Sequence, residues 1–529
     1  MDEIELEDVR TEQVRAALAR PTAYAHHPTS VEIRETHISW VFLAGERAFK
    51  LKKPLVLDFL DYGSAERRRE MCHEEVRLNR RLAPDVYLGV RGVMLTEQGA
   101  ELTADDDARA VEFVVEMRRY DERETLAAML ECGELQAGQV AAVGRALASF
   151  HDSAARAPAN GAPVLTAERR FDENLHELLA DVEQRGEIER IQALERFAHA
   201  FITAHAATFR RRADEGWIRE GHGDLRAEHV LVGRAVRVVD CVEFDRSLRE
   251  LDVADDLAFL VFDLAARGGE RFIDALVRAY RGAGGNPGPD WLIAFYATYR
   301  ALVRAKVALI RARQMPTTSA AHGRQSAAAR DLIALAERFA WRSRLPLAIV
   351  VCGAPASGKS YLARAISQRS GFAHLSSDIT RKRLVGVQPN QRADERAYGN
   401  EWNLRTYAEL GRRAAGEVRV GRGAIIDATF RHRVDRQTFA DAFGEAGPVL
   451  FIECQAPRSV LAQRAERRAH DSARVSDADL GVVLREQGVW EPLEEVPARA
   501  HIAIRTDRDV EQVVGDALAL LDRRLLDRT

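Results

Sequence analysis

The stretch LAIVVCGAPASGKSYLARAI, residues 347–366, decides the fold of the C-terminal part of the chain. Its first residues are apolar and β-branched and predict a buried strand, whereas YLARAI has the pattern of a helix. Between them, the residues GAPASGKS match G-x-x-x-x-G-K-[ST] in the strand–loop–helix setting that this pattern requires. Such a loop points its backbone N–H groups at phosphate oxygens, at the positive end of the helix. The stretch therefore predicts a phosphate-binding site.

The side chains of this loop have different expected roles in binding a nucleotide. Lys359 is expected to reach the β and γ oxygens, and the Ser360 hydroxyl is expected to ligate Mg²⁺. Only six of the 77 basic residues in the chain are lysines, so a chance match at Lys359 is rare. The predicted nucleotide-binding residues are Gly353, Ala354, Pro355, Ala356, Ser357, Gly358, Lys359, Ser360 and Tyr361.

The region after Pro346 alternates helical segments with the short buried strands GAIIDATF, PVLFIEC and AHIAIRT. This alternation is typical of a doubly wound α/β fold with mostly parallel strands. Asp378 follows the second strand, where a carboxylate can accept the proton of a substrate hydroxyl while Arg381 neutralises phosphate charge. Asp427, in the strand GAIIDATF, is the predicted ligand of Mg²⁺ or of its bound water.

Together, the glycine-rich loop, the D-x-x-R segment, the strand-end aspartate and a late run of arginines resemble the P-loop small-molecule kinases. The similar group lies near gluconate kinase, chloramphenicol phosphotransferase, zeta toxin and the polynucleotide 5′-kinases, and the resemblance covers about residues 346–525. It implies that Arg464 and Arg468 close over the γ-phosphate and that Asp378 touches the acceptor hydroxyl. From the residues alone, the arginine run is also consistent with a solvated helix face. The acceptor itself is set by the variable segment after the D-x-x-R motif.

The N-terminal part of the chain begins its strand-rich region with a predicted hairpin. HISWVFLAGERAFKLKKP, residues 37–54, has the pattern of two strands joined by a turn at Gly45. A helix that ends by Pro84 comes next, two more strands follow, and the chain is then mostly helical from about residue 122 to 340. One short strand pair, HVLVGRAVRVVD, interrupts this helical region.

The sequence GHGDL at residues 221–225, followed by a strand pair that ends in VVDCVEFD, carries a second resemblance. It resembles the H-G-D catalytic loop and the metal-binding aspartate of the aminoglycoside phosphotransferase and choline kinase branch of the protein-kinase-like fold. The resemblance implies that Asp224 accepts the proton of the acceptor hydroxyl. It also implies that Asp240 holds Mg²⁺ below the phosphates of ATP.

The strand AFKLK fits the A-x-K pattern of the same kinase-like fold. Lys50 is therefore expected to bind the α- and β-phosphates and to pair with Glu75 on the next helix, with Glu74 as the second candidate. Lys52 lies on the same face of the strand as Lys50. The choice between the two lysines stays open.

The chain departs from this family at His229, five residues after Asp224, where the family loop has a metal-binding asparagine. Imidazole is a poorer ligand for Mg²⁺ than an amide oxygen. The alternatives are that His229 ligates the metal, that the site uses one metal, that Glu243 supplies the missing oxygen, or that this half binds nucleotide with weak or no transfer. A further alternative is that His229 only orients the loop through a hydrogen bond to Asp224 or to a backbone carbonyl.

Over nearly its full length, the chain resembles the bacterial fusion proteins described as bifunctional aminoglycoside phosphotransferase-like and ATP-binding proteins. The resemblance implies a two-domain chain of α/β and α+β structure. A bilobal, protein-kinase-like domain is expected at residues 1–345, with an N-lobe at about 30–118 and a helical C-lobe at about 119–345. A P-loop kinase domain with a doubly wound parallel sheet is expected at residues 346–529. ATP and Mg²⁺ are the expected cofactors.

Composition limits the partners of the chain. Lys and Arg number 77 and Asp and Glu number 81, a net charge of −4, so no global field attracts nucleic acid or an anionic membrane. The sequence has no apolar run of the about 18 residues that a membrane span needs. The acidic start MDEIELEDVR has no apolar signal segment, which favours a cytoplasmic protein. Five cysteines without C-x-x-C spacing are expected to be reduced thiols.

The leading hypothesis is an ATP-dependent phosphotransferase that acts on a small-molecule hydroxyl and has two nucleotide sites. One alternative is a polynucleotide or RNA-end kinase, which needs a basic groove flanked by stacking aromatic residues. Trp402, Tyr398 and Tyr407 are the aromatic residues that cluster suitably in the C-terminal half, so nucleic acid is a less expected partner than a small molecule. Another alternative is a P-loop kinase that is regulated by a degenerate, nucleotide-sensing kinase-like domain.

Overall fold

Two compact units make up the chain in the structure, a computed structural model. Unit 1 comprises residues 1–161 and 210–289, and unit 2 comprises residues 162–209 and 290–529. The structure describes residues 3–526 apart from 58–59, 158–162, 183, 389–390, 392–393 and 470–489. Unit 1 contains an antiparallel sheet and unit 2 a parallel one, so the predicted two-domain chain of mixed α/β and α+β structure is confirmed.

The strands are β1 (Val31–Glu35), β2 (Ser39–Ala44), β3 (Arg47–Lys52), β4 (Val56–Leu57), β5 (Leu60–Asp61), β6 (Tyr87–Thr96), β7 (Gly99–Thr103), β8 (Glu112–Arg118), β9 (Ile218–Glu220), β10 (Val230–Val232), β11 (Val236–Val238), β12 (Glu250–Asp252), β13 (Ala348–Gly353), β14 (Ala373–Ser376), β15 (Ala424–Asp427), β16 (Val449–Gln455) and β17 (His501–Arg505).

The helices are α1 (Glu3–Leu18), α2 (Ala65–Asn79), α3 (Leu126–Glu131), α4 (Ala137–Ser153), α5 (Pro163–Asp181), α6 (Arg185–Ala204), α7 (Ala206–Asp214), α8 (Arg246–Arg249), α9 (Val253–Ala266), α10 (Ile273–Gly282), α11 (Asp290–Arg313), α12 (Ala320–Arg342), α13 (Lys359–Ser370), α14 (Ser377–Leu384), α15 (Asn400–Arg419), α16 (Arg433–Phe443), α17 (Arg458–Ala469) and α18 (Val510–Leu526).

In unit 1, six antiparallel strands form a sheet in the order β1-β2-β3-β8-β6-β7. Because neighbouring side chains of a strand point to opposite faces, Phe49 packs in the core with α1 while Ala48 packs with α2. The turn between β2 and β3 has φ +64° at Gly45, a conformation that favours glycine. The predicted hairpin is therefore present, and α2 ends before Pro84 as expected.

The rest of unit 1 is mostly helical, and α9 lies at its centre, with every residue from Val253 to Ala265 buried. The predicted strand pair in this region is the two-stranded sheet β10–β11, in which Val230 pairs with Val238. This short sheet places the segment after residue 238 next to the loop at residues 221–229, because the backbone N–H of Val239 donates to the carbonyl of His229 over 3.0 Å.

In unit 2, five parallel strands run in the order β14-β15-β13-β16-β17. Ile349 and Val351 belong to the core on one face of β13, and Val350 belongs to the core on the other. Apolar residues on both faces are typical of a sheet covered by helices on both sides. The doubly wound parallel sheet is therefore confirmed.

The compact units group part of the chain before residue 345 with the C-terminal sheet, because α5, α6, α11 and α12 belong to unit 2. The division into domains at residue 345 stays a prediction from motifs. Within the described ranges, no helix combines the length and the apolar character that crossing a membrane demands.

Candidate active sites

Two lysines of β3 and one glutamate of α2 form the centre of the site in unit 1. Lys50 Nζ lies 2.9 Å from Glu75 Oε1 and 2.7 Å from Asp240 Oδ1. Lys52 Nζ lies 2.7 Å from Glu75 Oε2 and also contacts Glu243. Glu75 thus pairs with both lysines, and Lys50 also contacts Asp240, the predicted metal ligand. Glu74, the second candidate, instead contacts arginines outside this cluster.

Charge interactions keep Lys50 and Asp240 ionised. Burial acts to lower the pKa of Lys50, but the charges of Asp240 and Glu75 outweigh it and raise that pKa well above the usual value. Partial desolvation of the carboxylate acts to raise the pKa of Asp240, but Lys50 outweighs it and holds that pKa well below the usual range. Glu243 is also held by Tyr62, whose hydroxyl lies 2.5 Å from Glu243 Oε1. The carboxylate of Glu243 is therefore already engaged by Lys52 and Tyr62.

The loop at residues 221–225 is fastened by Asp256 of α9. Its carboxylate accepts the backbone N–H of His222 over 2.7 Å and that of Gly223 over 3.0 Å. A Cβ at Gly221 would lie 2.6 Å from Asp256 Oδ2, so the loop can approach this closely only as glycine. His151 contacts the same carboxylate at 3.1 Å. Sequence reasoning missed His151, because no motif links residues 105 positions apart.

Asp224 and His229 lie together at the end of this loop. His229 Nδ1 lies 2.9 Å from the backbone carbonyl of Asp224, and its Nε2 lies 3.6 Å from Asp240 Oδ2. Arg226, which the sequence analysis did not single out, donates through Nε to Asp224 Oδ2 over 3.0 Å. Asp240 has φ +64°, a strained conformation for a non-glycine residue. The side chain of Asp240 is half exposed.

The phosphate-binding loop of unit 2 follows β13, at the carboxyl end of the parallel strands, where α/β folds bind ligands. Lys359, Ser360 and Tyr361 lie in the first turn of α13. Gly353 has φ +140°, and a Cβ there would lie 2.5 Å from the carbonyl oxygen of Cys454, so only glycine fits. The remaining loop residues, 354–358, connect β13 to α13.

The predicted acidic residues lie at the same edge of the sheet. Asp427 is the last residue of β15 and is in register with Val351 of β13 and Ser376 of β14. Asp378 lies two residues after Ser376, in the first turn of α14. His374, which sequence reasoning missed, places Nε2 at 3.7 Å from Asp427 Oδ2. A hydroxyl at Ser360 and a carboxylate at Asp427 are oxygen donors of the kind that Mg²⁺ prefers.

The structure describes the side chains of two of the three predicted arginines. Arg464 Nη1 lies 3.5 Å from Thr506 Oγ1 and 3.7 Å from the position of a Cβ on Gly358, so Arg464 is beside the loop. Arg468 belongs to α17, but its side chain lies outside the described residues. Arg381 is buried, and its Nη1 donates to the carbonyl of Ala397 over 2.7 Å.

Comparison with known proteins gives two family matches and full-length relatives. The phosphotransferase enzyme family matches residues 48–295, and the AAA domain family matches residues 349–493. An uncharacterized protein of Mycobacterium tuberculosis is 34% identical over 486 residues, which cover 89% of this chain and 93% of that protein. An uncharacterized protein of Mycobacterium bovis has the same identity and coverage.

Some solved structures are similar to parts of the chain. A choline/ethanolamine kinase family protein from Mesorhizobium loti is 16% identical, covers 61% of this chain and 95% of its own, and has a TM-score of 0.36. A gluconokinase from Sinorhizobium meliloti 1021 is 19% identical, covers 35% of this chain and 99% of its own, and has a TM-score of 0.27.

Proposed function

We propose that the chain has two nucleotide sites. It belongs to the family of fusion proteins that join an aminoglycoside phosphotransferase-like domain to a P-loop kinase-like domain, and it is therefore a phosphotransferase enzyme. Each site transfers the γ-phosphoryl group of ATP to the hydroxyl of a small molecule. The acceptor class is proposed from the resemblance to small-molecule kinases.

One observation carries the proposal: each unit brings a cation and two carboxylates to one region. In unit 1, Lys50 lies 2.7 Å from Asp240. His229 links this pair to Asp224, because its ring lies next to both the Asp224 carbonyl and the Asp240 carboxylate. In unit 2, Lys359 follows β13, Asp427 ends the neighbouring strand β15, and Asp378 follows β14, the next strand of the sheet. A phosphate-binding cation, a metal-binding carboxylate and a proton-accepting carboxylate are the groups that phosphoryl transfer needs.

The residues of unit 1 have distinct roles in this mechanism. Lys50 holds the α- and β-phosphates and is itself oriented by Glu75. Asp240 fits a Mg²⁺ ligand, since its carboxylate is half exposed and Mg²⁺ is commonly bound through one or two carboxylates and substrate phosphates. When bound, Mg²⁺ neutralises charge on the phosphate oxygens. Asp224 accepts the proton of the acceptor hydroxyl as the hydroxyl oxygen bonds to the γ-phosphorus, and the bond from the γ-phosphorus to the β-phosphate oxygen breaks to release ADP.

The residues of unit 2 have matching roles. The backbone N–H groups of residues 353–358 and the Lys359 side chain bind the β- and γ-phosphates. Ser360 and Asp427 would hold Mg²⁺, and Asp378 accepts the acceptor proton. Arg464, beside Gly358, stabilises charge on the transferred phosphoryl group.

The proposal is tested in the full chain by ADP release with a panel of hydroxyl metabolites, which includes an oligonucleotide with a free 5′-hydroxyl. Asp224→Asn and Lys359→Ala should each abolish one part of the turnover, and the double variant should abolish all of it. Lys306→Ala is the matched control, because Lys306 contacts Glu177 on an exposed surface. Full turnover in the double variant contradicts the proposal. Transfer only to the oligonucleotide would favour a polynucleotide kinase instead.

A further inference from the structure

Both ring nitrogens of His229 are engaged by protein groups. Nδ1 lies 2.9 Å from the carbonyl oxygen of Asp224, and a carbonyl only accepts, so Nδ1 carries the proton and donates. Nε2 therefore carries the lone pair. Arg226 Nη2 lies 3.1 Å from this Nε2 and donates to it. The lone pair that would ligate a metal is thus already directed at a guanidinium.

Arg226 is a buried cation fixed beside the proposed base. Its Nε donates to Asp224 Oδ2 over 3.0 Å, its Nη1 contacts Glu228, and its side chain is only 14% exposed. Burial acts to lower the pKa of Arg226, but the charges of Asp224 and Glu228 outweigh it and raise that pKa. Arg226 is therefore positively charged near neutral pH.

A second metal ion does not fit this arrangement. Mg²⁺ requires oxygen ligands in a near-octahedral shell, and the position that offers an asparagine oxygen in related proteins here offers an engaged imidazole. A divalent ion beside His229 would also face the positive charge of Arg226, which repels it.

We propose that Arg226 supplies the positive charge of the second metal ion in the unit 1 site, with His229 as its hydrogen-bond acceptor and Asp240 as the ligand of a single metal. The inference rests on the proposed function of that site. Arg226 acts as a positioning residue, because it reaches the reaction through Asp224. His229 holds both the loop carbonyl and the guanidinium in place.

The test counts bound Mn²⁺ per full-length chain at a saturating concentration of a non-hydrolysable ATP analogue, by electron paramagnetic resonance. Asp240→Asn should remove one ion from the wild-type count. Removal of two ions overturns the inference while leaving the proposed function standing. Removal of none overturns the proposed function of the unit 1 site, and the inference with it.

Variants of the two residues separate their roles. His229→Asn should leave the count unchanged, because Arg226 still repels a second ion, whereas Arg226→Met with His229→Asn should gain one ion per chain. Arg226→Lys, which keeps the charge and is the milder change, should gain none. A gain in His229→Asn alone overturns the inference. An unchanged count in the double variant also overturns the inference when its affinity for the analogue is retained. If the double variant fails to fold, the counts for the single variants His229→Asn and Arg226→Lys decide.

Discussion

Replacing Lys52 with methionine should loosen the sheet–helix core of unit 1. The side chain of Lys52 is fully buried, lies 2.7 Å from Glu75 Oε2 and also contacts Glu243. Methionine fills a similar volume but removes the cation that Glu75 and Glu243 share. Glu75 keeps its ion pair with Lys50, whereas Glu243 keeps the Tyr62 hydroxyl and loses its charged partner Lys52. Removing one partner of a buried ion pair costs about 3–5 kcal/mol, because an uncompensated charge remains in a medium of low polarity. At about 1.4 kcal/mol per tenfold, local opening should become about 100- to 4,000-fold more frequent.

Amide hydrogen exchange measured by mass spectrometry reads this change directly, since protection reports the free energy of local opening. Peptides from β3 and α2 should exchange faster by that factor, while peptides from β13 of unit 2 serve as an internal reference. Lys53→Met is the matched control on the same segment, because Lys53 pairs with the exposed Glu35. It should leave the exchange of β3 unchanged.

A second substitution tests whether charge is the cause. Adding Glu243→Gln to Lys52→Met removes the carboxylate that lost its cation, so exchange should return part of the way to the wild-type rate. Equal exchange in Lys52→Met and the wild type would refute the reasoning. The same increase in Lys53→Met would refute it as well.

Three further substitutions or conditions have definite expected outcomes. Asp378→Asn should lower transfer by unit 2 by roughly 10²- to 10⁴-fold through loss of the proton acceptor, while calorimetry shows retained nucleotide affinity. Gly353→Ala should abolish nucleotide binding by unit 2, because its Cβ would meet the Cys454 carbonyl at 2.5 Å, whereas Gly515→Ala, which meets no atom within 4 Å, should not. Burial lowers the pKa of His222 to about 4, below its unfolded value of about 6.5. The unfolded chain then binds the extra proton between these values, so unit 1 should lose stability as the pH falls from 6.5 to 4, as thermal unfolding will show.

Local motifs made much of the fold and the sites predictable from the sequence. The strand–loop–helix pattern around Lys359 is set by residues adjacent in the chain, and the sheet order around β13 agrees with it. The hairpin that carries Lys50 is equally local. The fold could therefore be inferred before any contact between distant residues was known.

Contacts between distant residues could not be predicted in the same way. The choice between Lys50 and Lys52 depends on Asp240, which is 190 positions from Lys50. The role of Asp256 depends on His151 and on the backbone of the loop at residues 221–225. These pairings follow from the packing of α4, α9 and the loop, and no spacing rule in the sequence encodes them.

The packing of unit 2 shows why a boundary between motifs need not be a boundary between folded bodies. Trp341 of α12 is 3% exposed and packs in the same core as Ile349 of β13, so the sheet core is closed by a residue that precedes Pro346. Arg344 joins further elements to this core, since its guanidinium lies 4.2 Å from the ring of Phe197 and 2.7 Å from Asp522. A chain that began at Pro346 would expose apolar surface that these side chains cover and would remove the ion-pair partner of Asp522. The two proposed activities are therefore better separated by point substitutions in the full chain than by cutting it.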